Sequence, residues 1–236
     1  MLLFIVRHGE PIYGPDVLTE KDQKQAQSLV KRFTVHGLDR IYSSPKGRAQ
    51  QTGAPTAEAL KLPVTIENWM SEDLAWDAFS VPRENGNLTW SYSREFVDEM
   101  MDEKYARMNT AEILSTYFAR VPDPDYFYNI VSHSDDFLAR QGFVREGDHY
   151  IANTDKEERV AAFCHGGFGT LWLSHLTGVP LHRFASTFSL DHTGVTVVHF
   201  DPEPGKKIYP EFISLNDLGH LRGSEAPYVA SNRFDL

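Results

Sequence analysis

The chain has little of what several common chemistries need. A single cysteine, Cys164, stands among 236 residues, which excludes an internal disulfide and any cysteine-built zinc site and makes a cytoplasmic location the expectation. Positive charge is scarce: 23 Lys and Arg face 33 Asp and Glu, a net charge of −10. That sign argues against nucleic-acid and anionic-membrane partners, which select basic surfaces. No stretch reaches the ~20 apolar residues of a membrane span, and the first residues show neither a basic segment nor a small-residue cleavage site, so a soluble, untargeted chain is expected. Nucleotide and metal fingerprints are missing as well: there is no G-x-x-x-x-G-K-[ST], "GGFG" lacks the third glycine of a dinucleotide loop, and the ten histidines form no H-E-x-x-H or other zinc spacing. An anionic small substrate stays open, provided that positive charge is concentrated locally.

What is present is an alternation of strands and helices. Leu2 to Val6 form a continuous apolar run, as in a strand buried on both faces of a parallel sheet. "YGPDV" reads as a loop. A helix follows in "LTEKDQKQAQSLVKRF", with Thr19 as N-cap and Ala26, Leu29, Val30 and Phe33 at helical spacing. "HGLDRIYSS" supplies a second strand and "PKGRAQQTGAPTAEAL" a second helix, in which Gly53 and Pro55 predict an irregularity; "PVTIEN" is a third strand. This β-α-β-α-β order predicts a parallel α/β sheet with right-handed crossovers.

From Trp69 to Thr154 the pattern changes. "SREFVDEMMDEKYARM" and "DPDYFYNIVSHSDDFLARQ" read as helices and "FVREGDHYIA" as a hairpin. The alternation then resumes with "RVAAFCHGGFGTLWLSHLTG", a buried strand running into a helix from near Phe168, and closes with strands in "TGVTVVHF" and "IYPEFISL". The expected architecture is a single domain over residues 1–236: three α/β/α layers around a mostly parallel central sheet, with a largely helical insertion, residues 73–157, as a cap over the active-site edge.

Strand ends carry the chemistry. Val6 leads through Arg7 to His8, Cys164 leads into His165, and a third strand end brings Ser43, Ser44 and, one turn into a helix, Arg48. Ligands of open α/β sheets bind at the carboxyl ends of the strands, so two imidazoles, two guanidiniums and two helix N-termini are expected at one place. Arginine forks and helix N-termini suit a phosphoryl group. The competing reading of Arg7 and His8 alone is a salt-bridged loop.

The motifs "RHGE", "LTEKDQKQAQ", "SSPKGRAQQT" and "FCHGG", in this order, resemble the histidine phosphatase superfamily, with its phosphoglycerate-mutase-like fold; the likeness spans roughly residues 1–76 and 158–200. The resemblance implies that His8 is the nucleophile that becomes phosphohistidine, that Arg7, Arg48 and His165 hold the phosphoryl oxygens, and that Glu72 in "WMSEDLAW" is the proton donor; Asp73 and Asp77 are the next carboxylates to test should Glu72 fail. It implies a small phosphorylated metabolite as partner and no metal or other cofactor, since Arg7, Arg48 and His165 already neutralise the transferring group.

The departures from the family pattern favour hydrolysis. "PIYGPDVLT" is shorter than the T/S-x-x-N stretch of the mutases, and "EDLAWDAF" lacks their basic segment. The expected activity is therefore a metal-independent phosphomonoesterase; the alternatives are a phosphoglycerate mutase-type phosphotransferase and a phosphate-binding module without turnover. A cysteine phosphatase is excluded, because the position six after Cys164, where its arginine would stand, is Thr170; Cys164 reads as a core residue. His192 precedes a strand expected beside the site, as either a phosphate contact or a structural residue. His36, His175 and His182 read as surface or capping residues, and His133 as part of a solvated helix face with Asp135 and Asp136. Trp69, Trp76, Phe79, Trp90 and Tyr92 either line a pocket or pack the insertion.

Overall fold

The computed structural model describes residues 1–224, 229–230 and 234–235. The chain divides into two compact units. One comprises Met1–Ser71, Asp135–Gly166 and Leu190–Leu236, the other Glu72–Ser134 and Gly167–Ser189.

The first unit holds a six-stranded sheet built from β1 (Leu2–Arg7), β2 (Arg40–Ser43), β3 (Val64–Ile66), β4 (Arg159–Cys164), β5 (Val195–His199) and β6 (Glu211–Asp217), in the order β6-β5-β1-β4-β2-β3. The pairs β1·β4, β4·β2 and β2·β3 are parallel; β5 and β6 add antiparallel at the other side of β1. This is the expected α/β, mostly parallel sheet. β1 takes a central place because Leu3, Phe4, Ile5 and Val6 are apolar on both faces, and all four are buried. The neighbour of β1 is β4, from late in the chain, so the ends of the two strands lie side by side: Arg7 is in register with Cys164.

Helices α1 (Glu20–Thr34) and α2 (Gly47–Leu60) belong to the same unit. Thr19 caps α1 as predicted, its hydroxyl accepting from the Asp22 N–H at 3.3 Å. The apolar stripe of α1 delivers Leu29 and Phe33 to a core with Phe4, Ile41 and Phe163. The Phe33 ring meets Phe4 edge-to-face at 5.4 Å. Burial of each such ring contributes about 1.5–3 kcal/mol.

Four local expectations change. Helix α2 runs unbroken through Gly53 and Pro55; Gly53 serves close packing, since a Cβ there would lie 2.9 Å from the Phe163 ring. The "YGPDV" loop is the turn of a two-stranded hairpin, Pro11–Tyr13 with Asp16–Leu18. The helix expected over 93–108 shrinks to a single 3₁₀ turn and Val97–Met100, because the Asp102 carboxylate accepts the Lys104 N–H at 3.0 Å and gives the backbone a local alternative to the helical bond. His182 is fully buried instead of lying at the surface; it stands on a short helix, Leu181–Thr187, between the buried Leu181 and Phe184.

The second unit is largely helical. Its segments include α3 (Glu72–Phe79), the hairpin Ser80–Pro82 with Leu88–Trp90, and Thr110–Ser115 with a capping box from Asn109 and Glu112. The hairpin predicted over residues 143–152 is present in the first unit as Phe143–Glu146 with His149–Ala152, and gains a third strand, Lys207–Ile208. No helix of the described residues is long and apolar enough to cross a membrane.

Candidate active site

The parallel pairing of β1 and β4 decides which side chains meet. The His8 N–H donates to the Cys164 carbonyl at 2.9 Å, and the Ser44 N–H donates to the Phe163 carbonyl at 2.9 Å, so three chain segments leave the sheet at the same edge. His8 and His165 lie with ring centroids 4.9 Å apart, and His192 stands 5.7 Å from His8. Arg7, His8, Arg48, His165 and His192 are thus brought together in the first unit.

The hydrogen bonds fix the state of His8. Its Nδ1 lies 2.5 Å from the Gly9 carbonyl, which can only accept, so Nδ1 carries the proton. The lone pair is then on Nε2, which receives the Arg48 Nε–H at 3.3 Å. Burial, with the Arg7 charge second, pushes the His8 pKa down to about 3. The result is a neutral imidazole whose unprotonated nitrogen accepts from a guanidinium.

Arg7 and Arg48 are each held from a second direction. Arg7 donates Nη1 to the Leu190 carbonyl and has Nη2 2.9 Å from His192 Nε2. Arg48 donates Nη1 to Asp16 Oδ1 at 2.9 Å and lies 5.5 Å from the centroid of the Tyr13 ring, both on the early hairpin. Asp16 is a site-shaping residue that the sequence reading passed over. The available signal was Gly47: a Cβ there would lie 2.3 Å from the Asp16 carbonyl oxygen, so the hairpin approaches only because the first residue of α2 has no side chain.

The two glycines after His165 open helix α4, Gly166–Thr177, two residues earlier than predicted. Their value is space. A Cβ on Gly166 would lie 2.9 Å from Arg7 Nε, and within the second unit one on Gly167 would lie 2.2 Å from the Trp90 ring. That same Gly167 gathers further second-unit side chains: its N–H donates to Glu72 Oε1 at 2.9 Å and its carbonyl accepts from the Tyr92 hydroxyl at 3.2 Å. Burial, with the Glu72 charge second, raises the Tyr92 pKa well above its usual value, so the phenol stays a donor. Glu72 is therefore anchored on the backbone two residues beyond His165 in the chain.

His165 is fully buried, with Nε2 2.7 Å from Ser44 Oγ. Burial, then the neighbouring His8, Arg48 and Arg7, lowers its pKa. Burial and Arg7 lower that of His192 to about 2. Two guanidiniums beside imidazoles held neutral suit an anion.

These shifts have a consequence for stability. In the unfolded chain the histidines titrate near about 6.5, so below that pH the unfolded state binds more protons than the native one, and stability falls as pH falls. The melting temperature is expected to decline through about pH 6 to 5, before most carboxylates titrate. Calorimetric scans across this range check it; a melting temperature unchanged between about pH 7 and 5 contradicts neutral native imidazoles.

A mostly parallel α/β sheet that ends in arginine and histidine side chains at one edge defines a protein built to take an anion there. The family model of the histidine phosphatase superfamily (branch 1) matches residues 3–75 and 97–208. The chain belongs to that family of phosphatases. Among curated proteins it is similar to one of Hydrogenobacter thermophilus named "Putative phosphoserine phosphatase 2", 23% identical over 233 residues, covering 93% of this chain and 97% of that protein. Among solved structures it is similar to phosphoserine phosphatase from Entamoeba histolytica in complex with 3-phosphoglyceric acid: TM-score 0.59, 17% identity, 93% of this chain and 98% of the other. It is also similar to alpha-ribazole phosphatase from Shigella flexneri, with a TM-score of 0.60, 16% identity, and 92% and 97% coverage.

Proposed function

We propose that the chain is a metal-independent phosphomonoesterase that hydrolyses a small soluble phosphate ester through a phosphohistidine on His8. The observation that carries the reading is the state of His8: Nδ1–H tied to the Gly9 carbonyl, Nε2 unprotonated and accepting from Arg48, the ring neutral. A neutral imidazole with an aimed lone pair is a competent phosphorus nucleophile. The names of the relatives, phosphoserine phosphatase and alpha-ribazole phosphatase, support hydrolysis of a phosphate ester over isomerisation.

In the first half-reaction Nε2 attacks phosphorus, the bond from phosphorus to the ester oxygen breaks, and Glu72 gives its proton to the departing alkoxide. Positive charge develops on the ring, where the bond from Nδ1–H to Gly9 stabilises it. Arg7, Arg48 and His165 hold the phosphoryl oxygens, with His192 as a further contact. In the second half-reaction the Glu72 carboxylate takes a proton from water, water oxygen attacks phosphorus, and the N–P bond breaks to release inorganic phosphate and neutral His8. The anchoring of Glu72 on Gly167, close in the chain to His165, supports this role.

Turnover of p-nitrophenyl phosphate in the presence of EDTA, with stoichiometric release of inorganic phosphate, is the test. Loss of activity on chelation, or isomerised product without phosphate release, overturns the reading. Binding alone has its own expected outcome: inorganic phosphate or orthovanadate at 100 times its Kd stabilises the native state by about 2.7 kcal/mol. Thermal scans across a phosphate titration check this, and Arg7→Ala or Arg48→Ala is expected to abolish most of the shift.

A further inference from the structure

We infer that Asn216 is a positioning residue for the phosphate site: its side-chain amide clamps the 190–194 loop and through it holds the Arg7 guanidinium in place. The inference rests on the phosphatase reading above and adds to it a residue from the far strand of the sheet.

The clamp begins as an irregularity in strand pairing. On β5, Val195 and Val197 are two residues apart, but their partners on β6, Asp217 and Ser214, are three apart. β6 therefore carries an extra residue here, a bulge, and bulges re-aim side chains beside functional sites. Asn216 lies in it with φ of +53°, in the left-handed region that asparagine tolerates better than most residues.

The re-aimed amide makes two bonds to one residue. Asn216 Oδ1 accepts the Asp191 N–H at 2.6 Å, and Asn216 Nδ2 donates to Asp191 Oδ2 at 2.6 Å. Gly194 makes room, because a Cβ there would lie 2.1 Å from Asn216 Oδ1. The loop is closed by the bond from Gly194 N–H to the Asp191 carbonyl at 2.9 Å, and Thr193 adopts φ of +59°, unusual for a β-branched residue.

What this loop does is hold Arg7. Its backbone brackets the Arg7 peptide: Arg7 N–H donates to the Gly194 carbonyl at 3.2 Å, and Thr193 N–H donates to the Arg7 carbonyl at 3.0 Å. Its Leu190 carbonyl and His192 ring receive the two terminal nitrogens of the guanidinium. With the amide gone, the loop loses its anchor to β6, and Arg7 loses the fixed pair of acceptors that set its orientation. A guanidinium that must be ordered by the ligand binds it more weakly.

Asn216→Gly tests this cleanly, since glycine accepts the positive φ without strain and only the amide is deleted. The expected result is that KM and the inhibition constant of inorganic phosphate rise together about tenfold, with kcat changed by less than about threefold, because His8 and Glu72 are untouched. Asn216→Asp is the second variant. At neutral pH it sets a carboxylate against Asp191 and is expected to weaken phosphate binding; as pH falls towards about 5, the protonated carboxyl regains a donor, so its inhibition constant relative to wild type at the same pH should return towards one. If glycine prevents folding, this pH profile decides alone. Phosphate inhibition within twofold of wild type in the folded variants, at every pH, overturns the positioning role. Failure of the wild type itself to bind phosphate overturns the phosphatase reading and this inference with it.

Discussion

His8→Ala is expected to lower kcat by more than ~10⁴-fold while the protein stays folded and still binds inorganic phosphate. The size follows from what is removed. Loss of one transition-state donor costs about 10²–10³ in rate, whereas loss of a covalent nucleophile removes the reaction path itself and leaves only what the remaining groups can do for water. Stability should change little, because the substitution gives up the bonds to Gly9 and Arg48 and at the same time removes a desolvated imidazole that feels the charges of Arg7 and Arg48. Phosphate binding should survive in Arg7, Arg48 and His165. Steady-state kinetics beside a thermal scan with phosphate check all three parts, and activity within tenfold of wild type would leave His8 as a binding residue only.

Glu72→Gln is expected to separate substrates by their leaving group. An alkoxide is strongly basic and needs a proton as the ester bond breaks, so alkyl phosphates should lose the first step, a drop of about 10²–10⁴-fold for a missing general acid. p-Nitrophenolate leaves without one, and phosphorylation by that ester should be nearly spared. Water attack still lacks its base in both cases. A burst of nitrophenol close to one equivalent per active site, followed by slow turnover, is therefore the expected trace. Equal losses on both substrate types would return Glu72 to the structural bond it makes with Gly167 and move the search for the acid to Asp73 and Asp77.

The parts of the fold that could be read in the sequence are those where local pattern and burial coincide. Leu2–Arg7 forms a strand with no competing pattern, and Thr19 and the stripe through Phe33 declare a helix that the structure keeps. The convergence of Arg7, His8, Arg48 and His165 was legible because each follows a strand end, and a parallel sheet aligns such ends by topology. Pairings of distant residues were not legible. Asp16 reaches Arg48 only because Gly47 lets a hairpin approach, and Asn216 reaches the 190–194 loop only through a bulge whose register depends on β5. What the glycines of "HGG" leave room for, Arg7 and Trp90, likewise depends on residues far away in the chain. His182 was misread because a lone histidine on a short helix does not show in sequence that the backbone of Tyr105 and Ala106 lies against it.

The account turns on a covalent phosphorus–nitrogen bond at one nitrogen of one residue. Mixing the enzyme with an alkyl phosphate, quenching in alkali within the first turnovers so that the acid-labile linkage survives, and mapping the modified peptide by mass spectrometry tests it directly. The expected result is a single phosphoryl group on His8, at Nε2, which appears and decays at rates consistent with kcat and is absent from His8→Ala. Turnover that proceeds with no phosphorylated histidine at any time, or with the label on another residue, would contradict it.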